Sequence, residues 1–144
     1  MTQGAPHSRD AAELALPGRW HRPLEGESAK GASGVRPFMQ VDVFTPTALL
    51  GNPLAVVLDG GGLTDAQMLQ FANWTNLSET TFLLTPTDAG RAGGADYRVR
   101  IFTPGGEMRF AGHPTLGSCH AWLQAGGQPQ SAQQIVQECP VGLV

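Results

Sequence analysis

The sequence predicts an α+β fold built on a mixed β-sheet, and three observations predict it. Short β-rich runs, among them FMQVDVF (38–44) and DYRVRIF (96–102), alternate with stretches of helical spacing. In DYRVRIF, Tyr97, Val99 and Ile101 fall on one face and Arg98 and Arg100 on the other, the pattern of an antiparallel or mixed sheet with one solvated side. Two stretches, beginning near Asp65 and Pro114, carry helix start signals followed by apolar stripes.

The elements follow in chain order. Residues 1–36 are rich in Gly, Ala, Pro, Ser, Arg and Glu, contain no Phe, Ile or Tyr, and show no sustained apolar period. Residues 1–38 therefore read as a disordered leader or a misassigned start, and residues 39–144 as one folded domain. On that reading a chain begun at Met39 melts with the full chain. FMQVDVF is the first strand, and LAVVL (54–58) a short buried one after the Gly51-Asn52-Pro53 loop. Thr64 caps a helix from Asp65 to about Asn73, with Met68, Leu69 and Ala72 on its buried face and Phe71 at the margin. TTFLL (80–84) and DYRVRIF are strands, a second helix starts at Pro114, and QIVQEC (134–139) is a further strand. Pro140 to Gly142 suggest a hairpin turn, with Leu143 and Val144 beginning a returning strand.

Charge and composition exclude several functions. A net charge of −3 leaves no basic footprint for nucleic acid and no polybasic patch for a membrane. No apolar run approaches the roughly 18 residues of a membrane span, and the first residues lack the apolar core of a signal peptide, so a cytoplasmic protein is expected. Cys119 and Cys139 accordingly read as reduced. Neither a G-x-G-x-x-G turn nor a Walker pattern appears, and no cofactor is expected.

The chemistry concentrates in RFAGHPTLGSCHAWLQAGG (109–127). Proline suits the first helical position, so Pro114 marks that position, His113 the N-cap, and Gly126 the end. Leu116, Cys119, Trp122 and Leu123 supply the expected buried stripe. The N–H groups of the first turn, including those of Thr115 and Leu116, then form an anion site beside His113, with Gly112 allowing close approach. By spacing alone His113 reads equally as an unusual cap. Glu79, behind Asn76 and Ser78, sits at a helix-to-strand junction where burial would suit it to acid/base work. Taken alone, a glutamate there is more commonly a solvated one. A metal site from His113, Cys119 and His120 lacks a fourth ligand, and no metal is expected.

In order and spacing, GNPLAVVLD, NLSETTFLL, YRVRIFTPGGEMRFAGHPTLGS and VQECPVGLV resemble the N-terminal half of the PhzF-like proteins of phenazine biosynthesis, relatives of diaminopimelate epimerase. The resemblance implies one half of a two-domain epimerase-like fold, a mixed sheet wrapped around a central helix, with the active site between the halves. It implies Glu79 as acid/base, with Gly112 and His113 binding substrate and His113 assisting proton transfer. Asn52, Ser78, Pro114 and Thr115 are further expected substrate contacts. Cysteine-dependent epimerases of this fold begin the matching turn with cysteine, and Ala111 stands there instead. The implied activity is a cofactor-independent isomerisation of a small carboxylate, dihydrohydroxyanthranilate-like or amino-acid-like. The second half, with its aspartate and Gly-Ser turn, is absent, so the chain alone is expected to be nearly inactive. It is expected to bind its missing C-terminal half or to self-associate, as in a homodimer. The competing reading is a non-catalytic anion-binding or interaction remnant.

Overall fold

A computed structural model describes residues 34–144, so nearly all of the expected leader lies outside the described residues. Strand β1 (Phe38–Val43) pairs antiparallel with β2 (Asn52–Val57), Phe38 opposite Val57 and Val43 opposite Asn52. Helix α1 (Asp65–Thr75) carries the chain from β2 to its parallel neighbour β3 (Thr80–Leu84). A five-residue helix, α2 (Asp88–Ala92), precedes β4 (Tyr97–Thr103), antiparallel to β3. The other edge of β4 is shared by β5 (Gly106–Met108), antiparallel, and β6 (Gln137–Cys139), parallel. Helix α3 (Gly112–Gln124) lies between β5 and β6 in sequence, and β7 (Gly142–Leu143) closes a hairpin with β6.

The two parallel pairs explain where the helices go. Parallel neighbours need a crossover, and crossovers in one sheet are right-handed. Both crossovers advance in the same direction through the order β1-β2-β3-β4-β6-β7, but β4 runs antiparallel to β2. The same handedness therefore puts α1 and α3 on opposite faces. Leu54, Val56, Leu83, Tyr97, Val99 and Ile101 form one core cluster with Ala121 of α3. Val57, Phe82 and Phe102 form another with Met68 and Ala72 of α1. The expected solvated side of the sheet is thus largely covered. Even Arg100 is engaged there, with Nη1 on Asp65 at 2.7 Å, Nη2 on Glu107 at 2.6 Å, and the guanidinium over the Phe102 ring.

Local chemistry explains the helix ends. Thr64 and Gln67 form a reciprocal capping box: the Gln67 N–H donates to Thr64 Oγ1 and the Thr64 N–H to Gln67 Oε1. At the end of α3, Gly126 takes φ 92°, and the N–H groups of Gly126 and Gly127 return to the carbonyls of Leu123 and Trp122. This is the paired C-terminal closure that glycine permits at the expected place. Two elements, α2 and β5, were not expected; five and three residues are too short for a periodic signal.

The stripe expected on α3 is corrected. Leu116 and Leu123 are exposed, whereas His113, Pro114, Gly117, Ser118 and Ala121 are buried. Small residues face the sheet because the helix runs so close to it that larger side chains do not fit. The hydroxyl of Ser118 donates to Thr81 Oγ1 at 2.9 Å, a buried polar pin between helix and strand.

Upstream of Met39 the chain already makes contacts. Arg36 donates to the Asp59 carbonyl, the Leu58 N–H donates to the Pro37 carbonyl, and Phe38 packs edge-on against Phe71 with centroids 5.8 Å apart. A chain begun at Met39 is therefore expected to be less stable than one begun at Val35. The aromatic pair alone supplies about 1 kcal/mol, a drop of roughly 4–8 °C by thermal unfolding. Equal melting temperatures would show that these contacts contribute nothing.

Candidate functional site

Glu79 is set by the join between α1 and β3. The helix ends at Asn76, which takes the left-handed conformation (φ 54°, ψ 28°) and donates its N–H to the Ala72 carbonyl. Asparagine is among the few side-chain-bearing residues that visit this region readily. The Thr75 hydroxyl also donates to Ala72 and lies 2.9 Å from Thr80 Oγ1. Because Thr75 has one proton to give, the Thr80 hydroxyl is the donor of that second bond. Thr80 itself is fully buried, so the residue before it is held firmly at the head of the strand.

His113 is set by the start of α3, where the expectation needs correction. The N-cap is Ala111, in extended conformation and without a side-chain cap bond, and the helix begins at Gly112. His113 and Pro114 are therefore the second and third helical residues. Proline is tolerated there because N–H groups of the first turn have no intrahelical acceptor. The Thr115 N–H is not free, since it closes the first turn on the Ala111 carbonyl at 3.2 Å. Only the amides of Gly112 and His113 precede that bond within the helix.

These two elements bring Glu79 and His113 together from 34 residues apart in sequence. Glu79 Oε2 lies 3.4 Å from His113 Nε2, with side chains 16% and 8% exposed. Both atoms are buried, and among the described residues neither has a hydrogen-bond partner. Two facing, desolvated and unsatisfied atoms form a poised site, because each gains when a ligand atom or proton completes it. Backbone near the pair is open: a Cβ built on Gly112 would meet nothing within 4 Å.

Other expected residues divide. Pro114 is buried beneath the helix start and Ser78 is exposed beside Glu79. Asn52 heads β2, partly buried, opposite Val43. Thr115 does not present its hydroxyl to a ligand; that group donates to the Ala111 carbonyl and accepts from Gln137 Nε2. Cys119 turns toward Tyr97 and Asp96, and burial, with Asp96 adding, pushes its thiol above the ordinary range. His120 instead lines a groove of about 360 Å³ that runs between the end of β1, from Val41 to Phe44, and the Leu116–Gly117 turn of α3.

Phe44 is the neighbour that sequence reading missed. It is 71% exposed, takes φ 66°, and its ring centroid lies 6.4 Å from that of His113. A bulky residue in this left-handed region is uncommon and strained. No periodic pattern signals such a position.

The matched family model, described as phenazine biosynthesis-like protein, covers residues 41–144. The chain belongs to this family. A relative from Schizosaccharomyces pombe, antisense-enhancing sequence 1, is 50% identical over 107 residues, covering 74% of this chain and 35% of that protein. The trans-2,3-dihydro-3-hydroxyanthranilate isomerase of Pseudomonas fluorescens is 45% identical over 84 residues, covering 58% of this chain and 28% of the isomerase. The crystal structure of a PhzF-family phenazine biosynthesis protein from Bacillus anthracis superposes with a TM-score of 0.64 at 34% identity, over 74% of this chain and 33% of that one. The chain thus spans about a third of the length of these relatives. The expected α+β class, a mixed sheet wrapped around a helix, is the one observed. Among the described residues, no helix is long and apolar enough to cross a membrane.

Proposed function

We propose that this chain supplies one wall of the active site of a cofactor-independent isomerase acting on a small carboxylate, dihydrohydroxyanthranilate-like or amino-acid-like. The observation that carries the reading is the buried, unsatisfied pair of Glu79 Oε2 and His113 Nε2 at 3.4 Å. As a carboxylate, Glu79 accepts a proton from an activated substrate carbon and returns it to another carbon of the same molecule. His113 and the amides at the start of α3 hold the substrate carboxylate and balance the charge that develops. Gly112 leaves that approach open, while Asn52 and Ser78 border it. No redox change or added group is needed, since one proton leaves carbon and one is delivered to carbon, the proton on Glu79 exchanging with solvent in between.

The rest of the cleft comes from protein beyond these residues, as a covalently linked domain or a second chain. Exposed Phe44, Leu116 and Leu123 are the apolar groups that such a wall covers, and without it they favour self-association. The relatives named as isomerases support the reaction class.

Two measurements test the proposal. Completed with the remaining length of a family relative, the protein should incorporate solvent deuterium into one member of a panel of small carboxylates, and no incorporation across the panel would count against isomerisation. The chain by itself should bind sulfate with a Kd of about 1 mM, weakened by His113→Ala. Isothermal titration without any binding heat would remove the anion site. Sulfate binding without deuterium exchange in the completed protein would favour the non-catalytic anion-binding reading.

A further inference from the structure

We propose that Gln137 is a positioning residue for His113, acting through Thr115 to set how closely the imidazole approaches Glu79. The inference rests on the reading of Glu79 and His113 as a working pair, and its geometry lies on the far side of α3 from that pair.

Gln137 sits on β6 and is 2% exposed. A buried amide is costly unless its groups are satisfied, and leucine would fill the same space without that requirement. Here both ends of the amide are used. Its Nε2 donates to Thr115 Oγ1 at 2.9 Å, and its Oε1 accepts from the Tyr97 hydroxyl at 2.9 Å. Thr115 passes its own proton on to the Ala111 carbonyl at 2.8 Å. The direction of every proton is fixed, running from Tyr97 through Gln137 and Thr115 to Ala111.

Each end of this chain of bonds is anchored. Burial drives the Tyr97 phenol far above its ordinary range, with Cys119 and Asp96 adding, so it remains a donor. The backbone of Gln137 is held by reciprocal bonds with Val144 at 2.9 and 3.0 Å. Ala111, at the other end, is the N-cap that lacks any side-chain cap. The first turn of α3 is therefore held from its carbonyl side by β6, and His113 lies on that turn.

The pair spacing makes the position consequential. At 3.4 Å, without hydrogen-bond geometry, Glu79 and His113 stand just short of bonding. A shift of the turn by a few tenths of an ångström closes or opens that gap. Ser118 and Thr81 pin α3 one turn further on, but their bond restrains the middle of the helix and not its mouth.

The test is an NMR titration of the histidine rings in the full chain, with the exposed His120 as internal reference. Thr115→Val, which removes the hydroxyl at nearly constant shape, and Gln137→Leu should each move the His113 midpoint by about 0.5 pH unit or more and leave His120 in place. Thr115→Ser, which restores the hydroxyl, should return the midpoint to the wild-type value. Tyr97→Phe removes only the terminal donor and should shift it in the same direction by less, which keeps the test intact where a larger change unfolds the chain. An unmoved His113 in Thr115→Val and Gln137→Leu, with melting temperature lowered, would overturn the proposal and leave Gln137 a structural residue. Glu79→Gln separates the two ideas. If it moves His113 and the positioning variants do not, the pair stands and the positioning falls; if it leaves His113 unmoved, the pair reading falls and the positioning toward Glu79 falls with it.

Discussion

Glu79→Gln, in the protein completed by the remaining length of a family relative, is expected to lower deuterium incorporation into substrate by about 10²–10⁴-fold, the range general acid/base groups contribute. Glutamine keeps the shape and still offers an oxygen toward His113, but it carries no basic site for a proton taken from carbon. Substrate binding should persist, because the amides at the start of α3 and the imidazole are untouched. The expected signature is therefore a large loss in kcat with a small change in KM. Thermal unfolding run alongside should show a shift of less than about 1 kcal/mol, since Glu79 makes no hydrogen bond through its buried Oε2 atom. Undiminished exchange in the completed Glu79→Gln protein would take Glu79 out of the mechanism.

Gly117→Val is expected to have the largest effect on stability. A Cβ built at this position would lie 2.5 Å from Leu54 Cδ2, 2.9 Å from Val43 Cγ2 and 3.2 Å from Val41 Cγ2. Leu54 is fully buried and Val43 nearly so, leaving neither much room to yield. Valine adds two methyl groups beyond that Cβ, so α3 has to lift from the sheet. Overpacking of this kind costs about 1–3 kcal/mol, and the better helix propensity of valine over glycine returns only a few tenths. A fall in melting temperature of roughly 4–20 °C follows for a domain of this size. His113 is one turn earlier on the same helix, so the anion affinity of the chain should fall with it. A variant that melts normally and binds sulfate as before would mean that the close approach of α3 is not needed.

Much of the fold was legible because it rests on local rules. The runs TTFLL and DYRVRIF became β3 and β4 within a residue, since β-branched and aromatic alternation is a property of the strand itself. Thr64 and Gly126 marked helix ends because each satisfies backbone groups within its own turn. Glu79 and His113 stood out through their motifs, and Asn76 and Ser78 already marked the junction before β3.

What escaped was what depends on a partner distant in sequence. An apolar stripe at helical spacing named Leu116 and Leu123 as core, but the residues that α3 buries are His113, Pro114, Gly117, Ser118 and Ala121. His113 was placed as cap because Pro114 follows it; the cap is Ala111, whose carbonyl accepts from Thr115, itself bonded by Gln137, 22 residues beyond Thr115. Phe44 reaches the imidazole only because β1 lies along α3. The sequence by itself determined the class of fold, the order of most elements and the two residues proposed here to move a proton. Tertiary structure alone decided that those residues meet at 3.4 Å with unsatisfied atoms facing, because the distance between two side chains 34 residues apart is set by how closely a helix packs on a sheet, and no local pattern carries that quantity.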